Sequence, residues 1–403
     1  MRNSIIIPLL LLFSITASAQ EQESNPTDTS KATSLLEAFQ KGKLHGQFRY
    51  FFMATDNEAG LTDYHAHALG GGVSFRTARF HGFQIGVGGF FIYNIGASDF
   101  TKTDPATGGS NRYEIGLFDI TNPSNKNNID RLEELYLQYS WKQNRITAGK
   151  QLINTPFINL QDGRMRPTEV GGIWVDLKPV KKWHFEGGYL YQISPRSTVD
   201  WYKPGASIGI YPTGVNPDGS KSQYAGNTHS NGVALLGITH QMNAHLQLKT
   251  WDQWIDNISN TWMLQPEGQW KLTKKGTLKA GVQVIGQNVI GNGGNADPAK
   301  AYESPNGKAY TIGATLGWLQ QGWDMSLNVN RITSDGRFLM PREWGREPFY
   351  TFLPREIREQ PRDLDGLPRC ISARGLNAAL RQCIRNRLHA GHAFGAQLID
   401  DWD

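Results

Sequence analysis

The sequence predicts an all-β chain, a transmembrane antiparallel β-barrel, on three observations. Apolar and polar residues alternate with period two along many segments. Short and long links alternate between those segments. Glycine and aromatic residues are abundant, with 44 Gly, 12 Trp, 14 Tyr and 18 Phe in 403 residues. No internal run is apolar over the roughly 20 residues that a membrane helix needs, and mean hydropathy is −0.46. A helical membrane protein is thereby excluded. A barrel is not, because only alternate residues of each strand meet lipid.

The chain opens on an export signal. Arg2 supplies the positive start, Ile5 to Ile15 form a short apolar core, and Ala17-Ser18-Ala19 is a small-residue cleavage site. Cleavage is expected after Ala19, with no lipidated cysteine at that point. Residues 20–43 read as a flexible periplasmic leader, rich in Ser, Thr and Glu over its first half.

From Leu44 onward thirteen strands are expected, near 44–53, 64–76, 82–93, 133–141, 144–151, 171–178, 182–192, 230–240, 244–255, 259–271, 276–288, 308–319 and 322–332. Their pattern is plain in Trp323, Met325, Leu327 and Val329 against Asp324, Ser326, Asn328 and Asn330. It recurs in Tyr310, Ile312, Ala314, Leu316 and Trp318 against Thr311, Gly313, Thr315 and Gly317. The second strand carries a glycine run, Gly70 to Gly72, where a bulge is expected.

The links are as telling as the strands. Lys142-Gln143, Pro179-Val180-Lys181, Gln241-Met242-Asn243 and Gln320-Gln321 are short, whereas 94–132, 152–170, 193–229 and 289–307 are long. Only 256–258 breaks the rhythm. Outer-membrane barrels have this asymmetry, with short periplasmic turns and long outer loops. Trp141, Trp183, Trp254, Trp262, Trp270, Trp318 and Trp323 stand near strand ends, as interfacial girdles require. In a membrane barrel the apolar face points out to lipid; in a secreted soluble β-sandwich, the competing architecture, it points in.

One stretch is more specific. Ala148-Gly149-Lys150-Gln151, then Asn154-Thr155-Pro156-Phe157, then Asp162-Gly163-Arg164-Met165-Arg166-Pro167, then Gly171-Gly172 resemble the OprD-type outer-membrane porin family. The resemblance covers about residues 131–178. It implies an eighteen-stranded barrel, monomeric or trimeric, passing small and often carboxylate-bearing solutes. It also implies that the loop after Gln151 folds inward to form a constriction. Asp162, Arg164 and Pro167 match its motif positions, and Arg166 replaces an apolar residue. The expected function is passive diffusion, with outer-membrane lipid and lipopolysaccharide around the barrel, a monomer or a homotrimer as the assembly, no cofactor and no nucleic-acid partner.

Constriction and solute-binding residues are expected at Asp162, Arg164, Arg166, Arg49, Arg145, Lys249, Lys279, Glu134 and Asp324, with Asp176 and Glu186 also on the lumen side. Arginine suits a carboxylate because its planar fork binds both oxygens. The competing role for Arg164, Arg49 and Arg166 is to pin the inward loop to the wall. A membrane-barrel enzyme or adhesin is the other alternative, but no P-loop, G-x-S-x-G or H-E-x-x-H is present. His65 and His67 alternate as metal ligands can, but no acid or cysteine accompanies them, so they read as barrel wall. Gly291 to Asn295 reads as an outer loop.

After Arg355 the pattern breaks. Residues 356–403 hold seven arginines, no lysine and both cysteines, Cys370 and Cys383. A short amphipathic helix is expected over Gly375 to Leu388. Two causes fit: a frameshift near Glu356, which would leave the barrel short of its last strands, or a genuine C-terminal extension.

Overall fold

The computed structural model describes residues 31–160, 164–216, 218–320, 323–333 and 335–351, and the backbone of 369–375, 378–383 and 392–402. The expected export signal and its cleavage site therefore lie outside the described residues. All thirteen expected strands are found. They are β2 (Lys43–Asp56), β3 (Tyr64–Arg76), β5 (Phe83–Ala97), β6 (Asp130–Trp141), β7 (Asn144–Gln151), β8 (Glu169–Leu177), β9 (Trp183–Ser194), β10 (Val233–Gln241), β11 (Leu246–Ile255), β12 (Ser259–Lys271), β13 (Gly276–Val289), β14 (Lys308–Gln320) and β15 (Trp323–Ile332). Two-residue strands β1 (Lys31–Ala32) and β4 (Arg79–Phe80) pair in parallel. Each long strand pairs antiparallel with its neighbour in the chain.

The tail differs from expectation. It contributes β16 (Arg369–Gly375), β17 (Ala378–Cys383) and β18 (His392–Trp402), and β17 occupies part of the span read as helix. The reason is tertiary. The outer edges of β15 and β2 each present a row of unpaired amides, which in lipid cost several kcal/mol apiece. β16 pairs with β15, and β18 pairs with β2 over eleven residues. An available sheet edge outweighs weak local helix preference.

The faces are inside out relative to a soluble protein. Along β5, Phe83, Ile85, Val87, Phe91 and Tyr93 are exposed, and Gln84, Phe90 and Ile92 between them are buried. Ile85 is 40% exposed and Gln84 only 5%. Along β13, Val282 is 46% exposed while Gln283 is wholly buried. Polar side chains line the interior and aliphatic ones form the outer belt, which is the membrane-barrel order. Where glycine faces outward, a neighbouring ring fills the gap: Trp262, directly opposite Gly286, covers the site a side chain there would occupy.

The glycine run in β3 is regular, contrary to expectation. The bulge lies opposite, between His67 and Ala68, where Ile95 of β5 is the extra residue. Gly70 and Gly72 instead make room for the ring of Phe90 inside the barrel; a Cβ at Gly70 would also strike Met165. A second bulge, between Gly88 and Gly89, leaves Glu133 as the extra residue of β6, so that Glu133 and Glu134 both turn inward.

The end of the leader also departs from expectation. Residues 35–40 form helix α1 (Leu35–Gln40). Its start is set by Ser34, whose side chain accepts from the Glu37 N–H at 3.1 Å, while the Glu37 carboxylate accepts from the Thr33 N–H at 2.5 Å. This is a capping box displaced by one residue on the reciprocal side, a signal present in the sequence.

The exceptional link 256–258 belongs to the long-link end after all. Ile258 closes the turn by donating to the Ile255 carbonyl at 3.0 Å, its own carbonyl accepts from the Ile290 N–H, and the Asn257 carbonyl accepts from the Gly294 N–H. The glycine-rich loop thus wraps over the tight turn, as an outer loop. The same loop buries Glu303, whose carboxyl is pushed up to about 8 by burial. Between the ordinary value of 4.5 and about 8 the folded state holds a proton that the unfolded chain releases. Stability is therefore greatest below that window and falls as pH rises through it. Glu303→Gln should remove this loss, stabilising the protein at pH 8 more than at pH 5 by on the order of a few kcal/mol. Denaturant unfolding at the two pH values checks it; equal effects at both would refute it.

Candidate functional site

The link from β7 to β8, residues 152–168, turns into the barrel. Thr155 starts the turn: its N–H donates to the Ile158 carbonyl at 2.8 Å, and its hydroxyl accepts from the Ile158 N–H at 2.9 Å. Pro156, between them, favours such a turn. Phe157 and Ile158 are then driven into an interior cluster with Trp344, Ile193 and Ile285. Met165 enters a second cluster with Ala66, Ala68, Phe90 and Ile92 on the opposite wall. The loop therefore spans the lumen with an apolar anchor at either side.

Polar contacts fix it further. Arg49 of β2 donates to the carbonyls of Arg164 and Met165 at 2.7 and 3.1 Å. Arg164 has φ of 45°, a left-handed conformation uncommon for arginine, and donates to the Tyr113 carbonyl at 2.6 Å. At the loop's other end, Asn159 donates to the Arg346 carbonyl at 2.7 Å and accepts from its N–H at 3.0 Å. Thr168 donates to the Glu343 carbonyl at 2.7 Å. Segment 337–351 thus also runs inward. Glu343 accepts from the N–H groups of Gly209 and Tyr211, and burial pushes its carboxyl up.

Arg166 is a correction. It was expected at the constriction, but it is 1% exposed and donates to the Thr198 carbonyl. Burial lowers its affinity for the proton, Arg131 adding to the effect. It lies in a buried group that local pattern did not reveal. Arg131 donates to Glu133 at 3.0 Å, to the Pro167 carbonyl at 2.8 Å, and to Ser194 and Pro195 of the neighbouring wall. Glu169 stands 3.9 Å from it. The bulge at Glu133 is the cause, since it puts two consecutive acids inside.

The remaining expected residues line the wall in pairs. Glu134 meets Arg76 at 3.4 Å, and Arg145 meets Asp176 at 2.8 Å. His184 lies between Asp176 at 2.7 Å and Glu186 at 3.7 Å. Lys249 meets Glu267 at 2.9 Å, and Tyr350 donates to the same carboxylate at 3.2 Å. Lys279 and Asp324 are half-buried on the polar faces of β13 and β15. Asp162 lies outside the described residues. Of the three arginines expected to act together, Arg49 and Arg164 meet and Arg166 does not join them. Arg76, Arg131 and Tyr113 were missed; Arg76 alone had a readable signal, following the alternation of β3. His65 and His67 are on the outer surface, opposite in phase to the buried Ala66 and Ala68, with the Tyr50 hydroxyl 2.8 Å from His67. They belong to the barrel wall, as expected, but to its outer face.

A barrel with a polar interior and an inward loop sealed to the far wall is a channel with a narrowed waist. The family model for outer membrane porins of the OprD type matches residues 39–321. The chain belongs to the OprD family of outer membrane porins. No curated sequence matches the porin. Its fold is similar to that of Pseudomonas aeruginosa OccK8 (OprE), at TM-score 0.60 and 14% identity over 83% of this chain and 79% of that one. Pseudomonas aeruginosa OpdK, solved with vanillate, is similar at TM-score 0.57 and 14% identity over 83% and 77%. Acinetobacter baumannii OccAB1 is similar at TM-score 0.60 and 10% identity over 87% and 77%. The porin therefore resides in the outer membrane, surrounded by its lipids, and passes small hydrophilic solutes.

Proposed function

We propose that the porin favours small solutes bearing a carboxylate, recognised where Arg49 and Arg164 meet at the waist. The carrying observation is that the Arg49 guanidinium lies against the backbone of Arg164 and Met165 at the tip of the inward loop. Arg49 thereby stands at the loop tip, whose own arginine, Arg164, reaches the Tyr113 carbonyl at 2.6 Å. On the wall, Arg76, Arg145 and Lys249 each stand within 4 Å of a carboxylate. Guanidinium binds carboxylate through charge-assisted, paired hydrogen bonds. The relative solved with vanillate, an aromatic carboxylate, supports the class of solute. The reading includes export with cleavage after Ala19 and passive transport without catalysis.

Uptake into vesicles tests it. A small carboxylate should enter faster than its neutral amide, and Arg164→Ala should reduce that preference by about tenfold, as loss of a charge-assisted contact of ~1.5 kcal/mol implies. Equal uptake of acid and amide by the unaltered porin would refute the reading.

A further inference from the structure

We propose that α1 is a foot by which the porin grips the periplasmic leaflet of the outer membrane, through apolar insertion and attraction to anionic phospholipid headgroups. This rests on the membrane-barrel reading and extends it to a segment outside the barrel wall. The helix lies at the short-link end, which is the periplasmic end. It is held there by definite contacts. The Ala38 carbonyl accepts from the Ala78 N–H at 2.8 Å, and Ala38 is buried. The Phe39 ring stacks on Phe75, with centroids 6.3 Å apart and planes 16° apart. Phe75 is in phase with exposed Val73 and faces the outer belt, so the helix is fastened to the lipid side of the rim and not over the pore mouth.

What the helix then leaves uncovered is apolar. Leu35, Leu36 and Phe39 are exposed, Leu36 at 69%. Leu44, Phe48, Val73 and Phe83 continue the same surface onto the barrel belt. An apolar helical face contiguous with a lipid-facing belt is covered by the same lipid. Its polar margin is cationic: Lys31, Lys41 and Lys43 are exposed beside it. Lys41 also pairs with Glu37 at 2.6 Å, which directs its stem along the helix. Lysine stems lie along apolar surface while their heads reach the headgroup layer, and each cation near an anionic surface adds attraction. Amphipathic helices with this division lie in the interface plane. A periplasmic protein would be an alternative occupant, but continuity with the belt favours lipid.

Photocrosslinking decides the matter. Benzoylphenylalanine is placed at Leu36 in the full-length porin, reconstituted in vesicles of phosphatidylcholine with and without phosphatidylglycerol. The same probe at Val87 serves as a control for barrel insertion. Lipid adducts at both positions, with the Leu36 yield rising when phosphatidylglycerol is present, are expected. Lysine-to-glutamine changes at 31, 41 and 43 together should abolish that rise. Adducts at Val87 with none at Leu36 would overturn the foot while leaving the barrel reading intact. Absence of adducts at Val87 would overturn the barrel reading and the foot with it. Crosslinking of Leu36 to a protein in native outer membranes, without lipid adducts, would also overturn the foot.

Discussion

Replacing Arg49 with alanine is expected to raise single-channel conductance and its noise. The side chain holds two carbonyls at the tip of the inward loop from the opposite wall. Removing it leaves those acceptors without their donor, at a cost of about 1–3 kcal/mol. The base of the loop stays fixed, because Thr168, Asn159 and Pro167 keep their partners. The tip alone is released, so the waist widens on average and its width fluctuates as the freed loop moves. Arg49→Lys should restore part of the effect, since lysine supplies donors without the planar fork. Planar-bilayer recordings distinguish the roles. Larger, noisier currents place Arg49 as a fastening residue. Unchanged conductance and noise would contradict the fastening role, whether or not the reversal potential shifts.

Arg131→Met is expected to destabilise the folded porin by about 3–5 kcal/mol, the usual cost of removing one partner from a buried charge group. The guanidinium is fully buried between Glu133 and Glu169, themselves 9% and 1% exposed at the side chain. It also satisfies carbonyls of Pro167, Ser194 and Pro195. Without it the two carboxylates share an interior with Arg166 and Lys150 as the cations that still act on them. Combining Arg131→Met with Glu133→Gln and Glu169→Gln should recover much of the loss, because the unpaired charges go as well. Guanidinium unfolding in lipid vesicles, followed by tryptophan emission, measures both. An Arg131→Met variant within about 1 kcal/mol of the parent would show that water reaches the cluster, since hydrated charges cost little to leave unpaired.

These residues also mark what the sequence can and cannot convey. Period two sufficed for the thirteen strands because each strand's faces meet different media, and that contrast is local. The alternation of link lengths was equally local. The waist was half legible. Arg49 and Arg164 were found, one from strand phase and one from a motif, but their contact joins residues 115 apart in the chain. Arg166 was misplaced because a loop has no fixed period to say which way a side chain turns. Glu133 was missed because a bulge breaks the period at the one place where function collects charge. Segment 337–351 was invisible, its inward path being set by Trp344 and Glu343 packing against loops far away in sequence. The foot was a different case: Ser34 and Glu37 announced a helix start, and the polar leader before them masked it.

The orientation of the strand faces is the premise of every result above, and a nitroxide scan along β5 in vesicles tests it most directly. Spin labels placed singly from Phe83 to Tyr93, in a background lacking Cys370 and Cys383, report collision with dissolved oxygen and with a water-soluble nickel chelate. Oxygen contact should peak at 83, 85, 87, 91 and 93 and chelate contact at 84 and 86, alternating down the strand. Oxygen and chelate peaks in the opposite phase, or chelate contact at every position, would contradict the barrel.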